Sequence, residues 1–278
     1  MISLRPVFLF RTVISRCAAM ISNGGQPGCK ATGLNCQLST SSQSNQGGQN
    51  QSPIDIVTSQ TTKGSKLKPL IFNAGWDQTV SGTVENTGYY LKFTADSTAD
   101  KCTLKTYNGD YVLDQFHYHW GQCDGEGAEH YMDGKQYDIE FHFVHKKVGL
   151  TDPTAKDAFS VLGVFGKADS GAKMTGVWEK LSPLNVLRCG SKKNIGDVVQ
   201  SNLLPKMKDY FHYEGSLTTP SYSEVVHWFV LKEPISVPSE YLEALRRMEK
   251  DDGKTICNNF RELQDVCSRT VERFETEH

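Results

Sequence analysis

Short apolar runs alternate with turn-forming residues through most of the chain after residue 88. The runs are rich in Val, Phe, Tyr, Trp and Leu, and Gly, Asp, Asn and Pro separate them, which is the pattern of β-strands. This pattern predicts strands over residues 89–93, 103–107, 111–120, 137–145, 159–165 and 225–231. No internal repeat and no second linker is visible, so the pattern predicts a single, mostly-β domain.

Two segments carry a helical pattern instead, residues 166–181 and 239–250. In the second segment Leu242, Leu245 and Met248 fall on one face of a helix. Ser239 is placed to cap that helix, and Glu240 is favourable near its N-terminus. We therefore expect two helices beside the strands.

The first 48 residues differ from the rest of the chain and predict a targeting and low-complexity extension. Arg5, Arg11 and Arg16 are interleaved with apolar residues, and the first carboxylate is Asp55. An acid-free, amphipathic, Arg-containing start is typical of a mitochondrial transit peptide, whereas Arg11 interrupts the apolar run that a secretory signal requires. Mitochondrial import is thus predicted, with secretion or an unprocessed cytosolic tail as alternatives. Residues 39–51 are polar and predict a solvated linker.

The bulk composition excludes several classes of partner. The chain has 278 residues, a formal net charge of −2 and a pI near 6.4, which gives no electrostatic footprint for nucleic acid. No apolar stretch is long enough for a transmembrane segment. The eight cysteines form no C-x-x-C pair, and their disulfide pattern stays open. We expect a catalytic domain over residues 49–265, a C-terminal tail over 266–278, and a monomer.

Histidines at alternate positions mark two of the predicted strands. Side chains of a strand alternate between its faces, so Gln115, His117 and His119 point the same way. In the second strand, Glu140 and His142 share a face. Polar residues backed by aromatics also occur on a solvated antiparallel sheet, so a His-x-His pair alone is weak support for a metal.

A third histidine with a carboxylate on its own face strengthens the case for zinc. Three neutral imidazoles make a zinc site with one open position. Ligand histidines usually donate their second ring N–H to a fixed acceptor, and Gln115 and Glu140 are each placed two residues before a histidine. The pattern predicts Zn²⁺ held by His117, His119 and His142.

Eight sequence motifs, in order along the chain, resemble the α-class carbonic anhydrase family. They are QSPIDI at 51–56, QFHYHWG at 115–121, DGEGAEH at 124–130, EFHFVH at 140–145, VLGVF at 161–165, GSLTTP at 215–220, and LKEPISV with NFR at 259–261. The resemblance implies a mostly-β (α+β) domain with a large, twisted, predominantly antiparallel central sheet, short flanking helices and the zinc site on the sheet. It also implies reversible hydration of carbon dioxide to bicarbonate and a proton by zinc-bound hydroxide.

The same resemblance implies roles for individual residues. Thr218 would accept a hydrogen bond from the hydroxide and donate its own proton to Glu129, and Thr219 would contact bicarbonate. The backbone carbonyl of Asn259 would be the acceptor behind the remaining ligand. The residues implied to line the apolar wall for carbon dioxide are Val144, Val161, Leu217, Val226 and Trp228. The residues implied to form a supporting hydrogen-bond cluster beneath Glu129 are His130, Tyr213 and Ser52. Primary sulfonamides would be inhibitors.

Two positions depart from the family pattern. Fast members carry a histidine at the position of Tyr89, and a phenol with a pKa near 10 relays protons poorly at pH 7. This difference predicts an active enzyme with slow proton transfer, unless Tyr89 merely lines the cavity. Ser221 and Tyr222 follow Pro220 where secreted members have a cysteine, which favours an intracellular location.

Two alternative functions remain open from the sequence. One is a non-catalytic carbonic anhydrase-like binding module, although such relatives lose ligand histidines and this chain keeps all three. The other is a structural zinc site without turnover.

Overall fold

The computed structural model of the protein describes residues 48–96 and 102–276. Nearly all of the predicted N-terminal extension, including the transit-peptide pattern, therefore lies outside the described residues. The end of the predicted linker is anchored, since Asn50 N and Gln51 Nε2 donate to Glu224 Oε1 at 2.8 and 2.9 Å. Within the described ranges, no helix combines the length and the apolar character that crossing a membrane requires.

Strands form most of the regular structure. In chain order they are β1 (Asp55–Ile56), β2 (Thr62–Lys63), β3 (Ile71–Phe72), β4 (Val80–Asn86), β5 (Leu91–Ala95), β6 (Thr103–Thr106), β7 (Gly109–Trp120), β8 (Tyr131–Met132), β9 (Ile139–Lys147), β10 (Phe159–Asp169), β11 (Lys192–Val198), β12 (Tyr210–Gly215), β13 (Val226–Leu231), β14 (Ile235–Pro238) and β15 (Glu272–Phe274). The helices are α1 (Val177–Lys180) and α2 (Ser239–Leu245), with 3₁₀ turns at Thr58–Gln60, Ala74–Asp77, Pro183–Asn185 and Gln200–Leu203.

One large mixed sheet organises the described residues. Its strand order is β11-β4-β5-β7-β9-β10-β13-β12-β15-β2, with β6 beside β7, β3 beside β6, and β14 beside β10. Most neighbours are antiparallel, and the parallel pairs are β10 with β13, β10 with β14, and β15 with β2. Strands β1 and β8 form a separate parallel pair. The mostly-β fold with a predominantly antiparallel central sheet is confirmed.

The six predicted strands are present as β5, β6, β7, β9, β10 and β13, with ends that differ by a few residues. The helix predicted over 166–181 is mostly wrong. Residues 166–169 instead continue β10, where they pair with β14, and only Val177–Lys180 is helical. The ladder with β14 is a tertiary interaction, and it outweighs the weak local preference of this segment.

The helix predicted over 239–250 is found as α2, but it is shorter and is capped differently. The residue at the N-cap position is Pro238, and no side-chain hydrogen bond caps the helix, so the cap assigned to Ser239 is wrong. The helix ends near Arg246, although Met248 beyond it is fully buried. The apolar face is thus present, but the helix that carries it is shorter than the pattern predicts.

The C-terminal tail predicted from residue 266 is partly built into the sheet. Strand β15 pairs antiparallel with β12 and parallel with β2. Lys63, Glu272 and Arg273 lie in this three-strand contact, where Arg273 is opposite Lys63. A short strand with charged residues carries little apolar pattern, which is why the sequence did not reveal it.

Apolar side chains on the two faces of the central strands form two separate cores. On β9, Phe141 and Phe143 belong to the larger cluster, which also contains Phe116, Tyr118 and Trp120 of β7. Val144 belongs to the second cluster, with Val161, Val226 and Trp228. Because neighbours along a strand face opposite ways, the chain buries both faces of this sheet. The polar side chains that share these faces with the apolar clusters are therefore also enclosed by protein.

One buried histidine, His145, lies on the face of the larger cluster. Its side chain is fully buried, its ring lies 5.7 Å from the ring of Trp76, and its Nδ1 donates to the Ser160 carbonyl at 3.2 Å. Burial lowers the pKa of His145 to about 4, because desolvation disfavours the charged imidazolium. The neutral form is thus the one that fits the folded protein.

This burial predicts acid sensitivity. Between pH 6.5 and about 4 the unfolded chain protonates this imidazole and the folded protein does not, so the free energy of unfolding falls as pH falls through that window. A His145→Leu variant should lose about 3 kcal/mol less over the window than the wild type, an upper bound from the pKa shift. Urea unfolding at several pH values measures the difference, in which contributions common to both proteins cancel. Parallel stability curves for the two proteins would contradict the assignment.

Candidate metal centre

A β-bulge in β7 sets which side chains face the site. The pairing of β7 with β9 shifts between Leu113 and Gln115, so Asp114 is an extra residue. Before the bulge, Leu113 packs against the larger apolar cluster. After it, Gln115 and His117 point to the opposite face, which carries the second cluster. The bulge thus turns odd-numbered residues of one strand from the larger core to the site.

Strand register brings the three histidines together. His117 of β7 lies directly opposite His142 of β9, and His119 lies opposite Glu140. Directly opposed side chains on one face are near neighbours. The ring centroids are 5.1 Å apart for His117 and His119, 5.4 Å for His117 and His142, and 4.5 Å for His119 and His142. The exposed fractions of the three side chains are only 7%, 1% and 1% in chain order.

Each imidazole uses one ring nitrogen for a hydrogen bond to a fixed acceptor. His117 Nδ1 lies 2.9 Å from Gln115 Oε1, His119 Nδ1 lies 2.8 Å from the carbonyl of Asn259, and His142 Nε2 lies 3.0 Å from Glu140 Oε1. These contacts fix the tautomers, because an amide oxygen, a carbonyl and a carboxylate can only accept. The other nitrogens, Nε2 of the first two and Nδ1 of the third, keep their lone pairs.

The free nitrogens fit a metal ion. One nitrogen from each of the three histidines lies within 4.8 Å of the others. His119 Nε2 is buried and has no hydrogen-bond partner. A buried polar atom without a partner needs an explanation, and a bound ion is one of the few that apply. Three neutral imidazoles are the donor set of open zinc sites.

Burial favours the neutral forms of His117 and His119. Desolvation lowers the pKa of His117 well below its usual value, and the neighbouring histidines lower it further. Desolvation also lowers the pKa of His119, against the opposing pull of Glu129. A metal can bind only to the deprotonated nitrogen, so both shifts favour coordination at neutral pH.

A second set of donors, His130, Glu140 and His142, also lies within 4.8 Å. Its atoms are already bonded to one another, since His130 Nδ1 and His142 Nε2 both contact Glu140 Oε1, at 2.8 and 3.0 Å. This set therefore supports the first one and does not compete with it for a metal ion.

The carboxylate of Glu140 is the hub of that support. It is fully buried, and its Oε2 accepts from the backbone N–H groups of Glu129 and His130, both at 2.8 Å. Burial alone would raise the pKa of Glu140, but contacts with His130 and His142 outweigh it and hold the pKa far below its ordinary value. Gly163 on β10 makes room for the carboxylate, because a Cβ there would lie 2.9 Å from Glu140 Oε1.

The cluster predicted beneath Glu129 is attached to Glu140 instead. His130 Nε2 lies 2.6 Å from Tyr213 Oη, which donates to Ser52 Oγ at 2.8 Å. Ser52 Oγ in turn accepts from the Ser216 N–H at 3.1 Å. The chain of contacts therefore runs from the ligand His142 through Glu140 to the N-terminal edge of the domain.

Glu129 is nearly completely buried beside the ligands. Its Oε1 accepts from the Arg261 N–H at 2.8 Å and lies 3.3 Å from His119 Nδ1. Its Oε2 lies 3.8 Å from His142 Nδ1 and has no hydrogen-bond partner among the described residues. The hydrogen bond expected from Thr218 to Glu129 is therefore not formed, although Thr218 is buried.

The five residues expected to line an apolar wall belong to one cluster. Four of them are buried and Leu217 packs against them. The Trp228 ring lies 4.8 Å from the His142 ring, so this cluster reaches the ligands. Trp228 Nε1 donates to the Ser216 carbonyl at 3.0 Å, which leaves the indole without an unpaired polar atom. Thr219 is half-buried on the adjoining loop.

Tyr89 is 75% exposed, and its neighbour Tyr90 is the tyrosine that touches the ligands. The Tyr90 ring lies 4.6 Å from the His117 ring and 6.5 Å from the His119 ring. Sequence reasoning missed this residue, because a tyrosine next to an apolar strand carries no sign of a site. It also missed Ser216 and the role of Arg261, whose contact with Glu129 is made by the backbone.

Two comparisons with known proteins agree with this geometry. A family model of the eukaryotic-type carbonic anhydrases matches residues 37–275. The chain is also 32% identical to carbonic anhydrase 1 of Monodelphis domestica over 236 residues, which covers 81% of this chain and 88% of that protein. Members of this family are generally zinc enzymes that hydrate carbon dioxide. The histidine-rich centre lies at the expected positions on the expected sheet. Matches of this extent show that the chain belongs to the eukaryotic-type carbonic anhydrase family and is a carbonic anhydrase.

Proposed function

We propose that the protein hydrates carbon dioxide reversibly at a zinc ion held by His117, His119 and His142. The observation that supports this most is the buried, unpartnered Nε2 of His119 beside two further imidazole nitrogens within 4.8 Å. Zinc, when bound in such a site, lowers the pKa of a water ligand to near neutrality, an effect for which carbonic anhydrase itself is the standard example.

The protein's own residues would hold and aim the ligands. Gln115, Glu140 and the Asn259 carbonyl accept from the three imidazoles and fix the direction of their lone pairs. Losing such acceptors weakens metal affinity by about 10–100-fold in other zinc sites. The carboxylate of Glu129 would orient Thr218, since Glu129 Oε2 is free to accept a hydrogen bond.

The substrate would rest against the second apolar cluster. Carbon dioxide is uncharged and apolar, so the buried surfaces of Val144, Val161 and Trp228 suit it better than they suit bicarbonate. Thr218 and Thr219 would contact the charged product. Primary sulfonamides are expected to inhibit by binding as anions at the same place.

Metal content and hydration rate, measured together, test the proposal. Purified protein should contain about one zinc per chain and should hydrate carbon dioxide in a stopped-flow assay. A His119→Asn variant removes one of the three donors and should lose the metal and nearly all of the activity, more than the about 10–100-fold that loss of an acceptor behind a ligand costs. His212→Asn, a strand histidine that contacts His227 and not the site, is the matched control and should keep both.

The two alternatives give other outcomes. Zinc without hydration would leave a structural metal, and neither zinc nor hydration would leave a carbonic anhydrase-like binding module. Either result would end the catalytic proposal.

We also propose that proton transfer limits turnover. Tyr89 is exposed, and its side chain is a phenol, which relays protons less readily near pH 7 than an imidazole does. A Tyr89→His substitution should therefore raise the maximal hydration rate, and so should imidazole buffer added to the wild type. Leu184→His, at another exposed apolar position, controls for an added surface histidine and should change nothing. If neither Tyr89→His nor imidazole changes the rate, proton transfer through this position does not limit turnover.

The cellular location is a further proposal, and the two observations that bear on it favour different compartments. The acid-free N-terminal pattern favours mitochondrial import. Cys257, in contrast, is disulfide-bonded, and disulfides persist mainly in oxidising compartments.

Sequencing the N-terminus of the protein purified from its native cell decides between these compartments. For the mitochondrial address, we expect cleavage within residues 1–48 and recovery in the mitochondrial fraction. Recovery of cleaved protein in the medium would favour secretion, and an intact Met1 would favour the cytosol.

A further inference from the structure

The side-chain amide of Asn259 joins three parts of the site. Its Oδ1 accepts from the Trp120 N–H at 2.7 Å, and its Nδ2 donates to the carbonyls of Tyr118 at 3.1 Å and Tyr89 at 2.9 Å. The Asn259 N–H donates to the Trp120 carbonyl at 3.3 Å, while its own carbonyl receives His119 Nδ1 at 2.8 Å. One residue thus binds the end of the ligand strand β7 and, separately, the turn before β5.

That turn is closed tightly on itself. Thr87 Oγ1 donates to the Tyr90 carbonyl at 2.9 Å and accepts from the Tyr90 N–H at 3.1 Å. The carbonyl of Tyr89, held by Asn259, therefore lies next to a residue whose backbone has little freedom. The Tyr90 side chain leaves this turn and places its ring 4.6 Å from the ring of His117.

We propose that the amide of Asn259 is a positioning group for two metal ligands at once. It acts on His119 through the backbone carbonyl that the Trp120 and Tyr118 contacts hold in place. It acts on His117 through the Tyr89 carbonyl and the ring of Tyr90. This inference rests on the proposed zinc site. It adds a set of contacts, through Tyr89 and Tyr90, that reaches His117.

The chemistry of the position requires an amide. The group must accept one backbone N–H and donate to two carbonyls, and only an amide offers both kinds of atom on so short a side chain. A carboxylate keeps the acceptor but turns a lone pair toward the carbonyls of Tyr89 and Tyr118. An alanine removes both functions and introduces no charge.

Rates of metal release test the proposal directly. In Asn259→Asp and Asn259→Ala, zinc should leave to an excess of chelator about 10-fold faster than in the wild type, in line with other residues behind ligand histidines. The cobalt-substituted variants should also show a changed visible spectrum, which reports ligand geometry. Asn258→Asp is the matched control, because only its Oδ1 is engaged, with the Gln122 N–H at 2.9 Å, and it should behave as the wild type.

The Tyr90 route is tested by combining variants. Tyr90→Ala should speed zinc release, Tyr90→Phe should not, and Asn259→Ala should have a smaller effect in the Tyr90→Ala background than alone. Equal effects in both backgrounds would overturn the route through Tyr90. Wild-type release and an unchanged cobalt spectrum for both Asn259 variants would overturn the proposal, as would an effect confined to Asn259→Asp, which would indicate charge alone.

Two safeguards keep the outcomes distinct. Should the Asn259 variants not fold, the comparison of Tyr90→Ala with Tyr90→Phe still tests the route to His117, since equal release rates would contradict a role for the contact between the two rings. Should the wild type bind no zinc, the proposed function itself would fail before Asn259 is tested.

Discussion

A carboxylate buried without any exposure, Glu140, is the constraint on which the site depends. Such a charge is costly to bury unless hydrogen bonds satisfy it. Here it accepts four, two from backbone N–H groups and one each from His130 and His142. The backbone bonds fix the loop that carries Glu129, and the imidazole bonds orient a ligand and start the contacts to Tyr213. Removing this one side chain would therefore disturb several parts of the site together.

The sheet supplies the precision that the carboxylate alone could not. Register places His117 opposite His142, so the third donor comes from a neighbouring strand at a separation fixed by the backbone ladder. The bulge before Gln115 then turns these residues away from the larger core. Sites on rigid strands hold donor directions better than sites on loops. The loop residue Thr218, by comparison, forms no hydrogen bond with Glu129.

The sequence was informative wherever period-two alternation decided the outcome. The shared faces of Gln115 with His117 and of Glu140 with His142 follow from alternation alone, and so do the two cores. It was uninformative where contacts are made by the backbone, as with the Arg261 N–H, or by tertiary pairing. Pairing with β14 makes residues 166–169 a strand where the sequence predicts the start of a helix, and β15 lies in a charged segment. The attachment of His130 to Glu140 also needed coordinates, because the two residues lie in different motifs, 10 positions apart.

Alternation also explains why the remaining described strand histidines are not ligands. His145 is separated from His142 by an odd number of positions, so it faces the larger core and stacks near Trp76. His212 and His227 lie on that same side of the sheet, where they contact each other at 3.1 Å and His227 contacts Asp157 at 2.6 Å. A one-residue slip of a strand would exchange these sets, removing imidazoles from the site and placing aromatics there. Strand register therefore determines which histidines form the metal site, because a histidine one position away faces the packed core instead.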